Sequence, residues 1–180
     1  MKEAIGGAWL FQIVIVMVLL FSGFLAISLN YSKAFKVKNG VINIIQRQNG
    51  VHNLPTANIG GSQQEIIDYL RLVGYRNSGQ CVTTVAEIEW IGLIIQGEAG
   101  TWNPPQGSPA DRITNSGNQR FNLCIYRTAA NGAGASEQGI ADIDLYRVEA
   151  FFRLDIPVVS QLFNLKLSGT TKPIMWPSGR

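Results

Sequence analysis

From Ala4 to Ser32 the chain reads AIGGAWLFQIVIVMVLLFSGFLAISLNYS, with no charged residue. The run from Trp9 to Leu29 covers about 31 Å at helical rise, enough to cross a hydrocarbon layer of about 30 Å. Its polar residues, Gln12, Ser22 and Ser28, are few enough for a helix to accommodate them. A secretory signal has a shorter apolar run ending at a small-residue cleavage site. Ala26-Ile27-Ser28 has that pattern, but the run is too long and no cysteine follows to take a lipid. The expectation is a retained anchor in contact with the lipid bilayer.

Flanking charge and the cysteines bear on orientation, and they disagree. Lys33, Lys36 and Lys38 follow the span while Lys2 precedes it, a bias that alone would keep the large part inside. Cys81 and Cys124 both lie beyond the span. Either they form one disulfide, which requires an oxidising compartment, or they are small buried apolar residues. With only a seven-residue leader to translocate, the expected topology is single-pass with the C-terminal domain extracytoplasmic or at the cell surface.

The helix is expected to continue past the bilayer. Val37, Val41, Ile44 and Ile45 recur at helical spacing, and Asn49-Gly50 is a strong stop. This stripe can pack on the chain's own domain, on neighbouring copies, or on both. Ser62-Gln63-Gln64-Glu65 fits a capping box, followed by Ile66, Ile67, Leu70 and Val73 on one face and Gly74 at the end.

Strand patterns dominate the remainder. Val82–Ile95 mixes strand and helix signals, with Gly92 expected at a bend or bulge. Gln96–Gln119, rich in glycine and proline, reads as one long loop, with Trp102 expected to pin it. Arg120–Thr128 alternates, with Phe121, Leu123 and Ile125 on one face and Cys124 on the other. Asp142–Asp155 carries the clearest strand pattern, expected to be interrupted near Glu149-Ala150. Pro157 opens a short helical turn, Leu165–Ile174 is a further strand, and Met175–Arg180 is a tail.

The expected fold class is α+β: a long N-terminal membrane-spanning helix continuing into an amphipathic helix packed on a small antiparallel β-sheet domain. Its divisions are a head at residues 1–7, the helix at 8–49 and a β-rich domain at 50–180.

Chemistry leaves few traces. There is no nucleophile elbow, zinc-protease motif, phosphate loop or dinucleotide fingerprint. The lone histidine, His52, sits in a connector, which removes most triads and most zinc sites. The net charge of +3 is scattered, so nucleic acid is not an expected partner. Glu87 with Glu89, and Asp142 with Asp144, are two apart and share a strand face. Such pairs suit acid–base work or calcium, but a solvated strand edge produces the same pattern. No catalytic, cofactor or metal residues are assigned, and the chain is not expected to be an enzyme.

Three stretches together resemble type IV pilins and pseudopilins, and within them TadE-like proteins of the tight-adherence pilus machinery. They are Gly6-Gly7 before AWLFQIVIVMVLLF, the helix running on through Ile45, and FFRLDIPVVSQLFNLKLSG near the end. The resemblance implies a non-catalytic structural component of a surface filament or secretion assembly. Its partners would be other pilin-like subunits or membrane-complex proteins, met through the N-terminal helix. It also implies Gly7 as a processing site. Cleavage there makes Gln12 the fifth residue, where the family usually carries glutamate, so a minor or unprocessed component is expected. Gln12 would offer a neighbouring helix a neutral hydrogen bond. The alternatives are an anchored accessory or binding subunit using the Gly97–Gly117 loop, and an anchored enzyme using the acidic pairs.

Overall fold

A computed structural model describes residues 2–51, 61–82, 89–96, 99–103, 120–129, 142–153 and 164–176. One helix, α1 (Lys2–Arg47), opens the chain and α2 (Ser62–Val73) follows. The strands are β1 (Glu89–Gln96), β2 (Ala99–Asn103), β3 (Leu123–Ala129), β4 (Asp142–Arg153), β5 (Asn164–Thr170) and β6 (Ile174–Trp176). They form one antiparallel sheet in the order β2-β1-β3-β4-β5, with β6 also on β4. The chain is therefore α+β, with a long apolar N-terminal helix and a six-stranded sheet.

The second half of α1 belongs to the core. Val37, Val41 and Ile45 are fully buried and Ile44 nearly so, packed with Ile66, Ile67 and Leu70 of α2. From the sheet come Ile91, Leu93, Leu123, Ile125, Tyr146, Val148 and Ala150. Burying a valine or isoleucine stabilises by about 1.5–3 kcal/mol, against about 0.5–1.5 kcal/mol for a hydrogen bond. The apolar stripe, rather than polar contacts, clamps α1 to the sheet. The helix stops where Asn49 and Gly50 take positive φ, of 53° and 109°.

α2 lies antiparallel to α1. Arg47 and Gln48 reach Glu65 at one end, the Tyr69 hydroxyl donates to the Lys36 carbonyl at 3.0 Å, and Lys33 Nζ donates to the Gly74 carbonyl at 2.9 Å. The expected capping box does not form. Gly61 is the N-cap, and the Ser62 hydroxyl is buried without a hydrogen-bond partner among the described residues. Glu65 turns instead to Arg47 and Gln48, a charge-assisted choice that outweighs a neutral cap. The other end follows the pattern: Gly74 is left-handed, its N–H donates to Arg71 and that of Tyr75 to Leu70, the Schellman arrangement.

The sheet departs from expectation in five places. The long loop begins with a strand, since β2 pairs back on β1 and carries the buried Trp102. Gly92 is in regular register, opposite Cys124 and Asn103, not at a bulge. It is needed because the Phe121 ring lies where its side chain would be. β4 runs through Glu149-Ala150 without interruption. The expected strand Leu165–Ile174 is two strands: Pro173 has no N–H to donate, and the Thr171 hydroxyl instead accepts the Tyr146 N–H at 3.1 Å. The second of these two strands, β6, takes in Met175 from the expected tail.

The fifth departure is at Phe121. It precedes β3, where a bridge to Gly79 and the turn of Asn122 break alternation. Its ring therefore joins Cys124 on the outer face, while Leu123 and Ile125 face α1. His52, Glu87 and the Pro157 turn lie outside the described residues.

Candidate functional site

Two features stand apart from ordinary core packing. The first is the unpacked half of α1. Fifteen large apolar side chains from Trp9 to Leu29 are each 43–71% exposed. They lie on every side of the helix, far beyond the few hundred Å² of apolar patch that soluble monomers tolerate. The helix is long and apolar enough to cross a membrane. Gln12 is exposed within this stretch, and Gly7 lies in the same helix. Val37, Val41, Ile44 and Ile45 are brought together not with these but inside the domain's own core.

The second feature is on the sheet face away from α1. Alternation on β3 and β4 places Cys124, Tyr126, Arg147, Glu149 and Phe151 there, opposite the residues that meet the helix. After Gly74 the chain follows this face. The Tyr75 hydroxyl donates to the Phe151 carbonyl, Gly79 bridges Phe121, and Cys81 is disulfide-bonded to Cys124 with Cα atoms 5.7 Å apart. Trp90 packs edge-on to Phe121 at 5.7 Å between ring centroids.

Beside the disulfide sits Glu149, fully buried and opposite Cys124 in register. Its Oε2 accepts the Tyr126 hydroxyl at 3.0 Å, and its Oε1 receives Lys166 Nζ at 2.9 Å and Arg147. Arg147 also lies over the Tyr126 ring, 4.0 Å from its centroid. The Tyr126 oxygen in turn accepts the Val82 N–H at 2.9 Å. Burial first, then the Glu149 carboxylate, pushes the Tyr126 hydroxyl well above its ordinary pKa. Burial likewise raises Tyr75. Both oxygens of Glu149 are engaged by three partners, two of them cationic. Such a carboxylate holds β3, β4, β5 and the Cys81–Val82 segment in register, and it offers no lone pair toward solvent.

One member of the acidic pairs departs from expectation. Asp144 is not on a solvated edge: it is 3% exposed and ion-paired to Arg127 at 3.1 Å, on the α1 side of the sheet. Glu89 opens β1, away from it in sequence and strand. Among the described residues no three histidine, cysteine or acidic side chains are grouped to hold a metal. An open groove of about 550 Å³ runs along the outer seam of α1 and α2, lined by Gly40, Ile44, Glu65, Asp68, Tyr69 and Leu72.

Glu149 was missed in the sequence because a single acid in a strand reads as outward-facing. Its signal is indirect: it shares one parity of β4 with Arg147 and Phe151. No protein-family model matches the chain, and no curated protein or solved structure is significantly similar to it. The resemblance to pilin-like proteins rests on the quoted residues alone.

Proposed function

We propose that this chain is a non-catalytic, membrane-anchored structural subunit, pilin-like and of TadE-like character, in a surface filament or secretion assembly. The observation that carries the reading is the division of α1. One uninterrupted helix is core to the domain over its second half and bare from Trp9 to Leu29. A bare apolar half on this scale needs lipid or other apolar helices around it. The disulfide supports an extracytoplasmic domain, because such bonds persist in oxidising compartments. The full engagement of Glu149 and the pairing of Asp144 favour a scaffold over acid–base chemistry. Gln12 in the bare half is suited to one neutral hydrogen bond with a neighbouring helix, worth about 0.6–2 kcal/mol.

The test is the intact mass, with and without reductant, of protein extracted from native membranes and from sheared surface material. Loss of residues 1–7 with recovery in the sheared fraction is the expected result for a processed minor subunit. A full-length chain found only in membranes would move the function to a permanently anchored accessory protein. A mass beginning near Leu29 would overturn the anchored reading.

A further inference from the structure

We infer that the base of the domain, where α1 leaves its bare stretch, is a docking surface for anionic phospholipid headgroups. The inference rests on the membrane-anchor reading and adds a second lipid contact to it, made by the folded domain.

Two elements converge on one level of α1. The antiparallel α2 brings its C-terminal end down to Lys33, through the bond from Lys33 Nζ to the Gly74 carbonyl. The end of β4 arrives there too, with the Phe152 ring edge-on to Tyr31 at 5.8 Å. Tyr31 stacks on Phe35 at 6.3 Å. Residues 31–36 rise about 8 Å along the helix. With Trp9–Leu29 in hydrocarbon, that rise falls in the headgroup layer, which is about 5–8 Å thick on each side.

The exposed chemistry at this level is what such a layer selects. Leu72, on the last turn of α2, is 87% exposed, and Tyr31 and Phe35 are 46% and 42% exposed. Lys33, Lys36, Arg71 and Arg76 are exposed around them. Asp68, paired with Arg71 at 3.4 Å, is the carboxylate at this end of α2. Glu65 lies at the far end with Arg47, while Glu149 and Asp144 are buried in ion pairs. Among the described residues the base is thus aromatic, apolar and net positive. Aromatic side chains settle at the membrane interface, and lysine and arginine close to it are drawn to anionic lipid.

The test uses the full chain, disulfide intact, reconstituted into vesicles of phosphatidylcholine alone or mixed with phosphatidylglycerol. A polarity-sensitive fluorophore is attached singly at Leu72→Cys, Leu19→Cys or Asn49→Cys, and quenching by neutral acrylamide is measured. The expected result is roughly threefold less quenching at Leu72→Cys when phosphatidylglycerol is present, reversed by high salt and by Lys36→Gln/Arg76→Gln. Asn49→Cys, at the far end of the domain, should quench equally in both lipids. Equal quenching at Leu72→Cys in both lipids, with Leu19→Cys buried in lipid, would overturn the docking surface and leave the anchor standing. A water-exposed Leu19→Cys would overturn the anchor, and this inference with it. Protection at Leu72→Cys that grows with protein density whatever the lipid charge would assign the surface to a second copy instead.

Discussion

At the scale of single residues, the most consequential group is Glu149, a carboxylate with no contact to water. Glu149→Gln keeps its size but leaves Arg147 and Lys166 without their counter-charge. Breaking a fully buried pair costs about 3–5 kcal/mol. Here Lys166 is half exposed and Arg147 partly so, and both can recover hydration. The expected loss is therefore lower, about 2 kcal/mol, read as a lower urea midpoint at unchanged slope. An unchanged midpoint would show that the network contributes nothing net. The buried hydroxyls of Tyr75 and Tyr126 set the alkaline limit. Their folded pKa values are raised, so above about pH 10 the unfolded chain releases protons that the folded one retains. This stabilising contribution is complete below pH 10 and declines as pH rises through the folded values, by about 1.4 kcal/mol per pH unit for each tyrosine. Urea midpoints should fall steeply above pH 10, and less so in Tyr126→Phe. A slope identical in that variant would contradict the assignment.

At the scale of elements, the close approach of α1 and α2 hinges on Gly40, whose missing side chain leaves room for the Tyr69 ring. In an isolated helix Gly→Ala stabilises by about 1 kcal/mol. Here Gly40→Ala must push Tyr69 aside and break its bond to Lys36, so a net loss of about 1 kcal/mol is expected. In a Tyr69→Ala background the sign should reverse to a gain of about 1 kcal/mol. A gain in both backgrounds, measured by thermal melts in detergent, would show that the ring yields freely. The elements also differ in how well the sequence announces them. α1 is plain from its apolar run, its stripe and Asn49-Gly50, because each is a local signal. β2 is not: Ala-Gly-Thr-Trp-Asn alternates in nothing and becomes a strand only because β1 lies beside it. Phe121 fails for a related reason, since its parity is reset by the bridge to Gly79. The site around Glu149 was least legible, because four segments distant in sequence build it. Only the cross-strand register brings them together.

At the scale of the whole molecule, the disulfide fastens the segment after α2 onto the outer face of the sheet. It closes a separation of 43 residues, for which the chain-entropy estimate is about 4 kcal/mol. Cys81→Ser should lower the melting temperature of the oxidised protein by roughly 10 °C or more and have little effect under reductant. An equal effect in both conditions would assign the loss to packing around Trp90 and Phe121 instead. The same whole-molecule view gives the undivided α1 a mechanical meaning. No proline interrupts Lys2–Arg47, and the domain grips the upper half of the rod whose lower half stands bare. Between grip and bare shaft there is no linker to act as a joint. Tilting or twisting the shaft turns the domain with it, and a pull on the domain along the rod is delivered, undamped, to whatever holds residues 9–29.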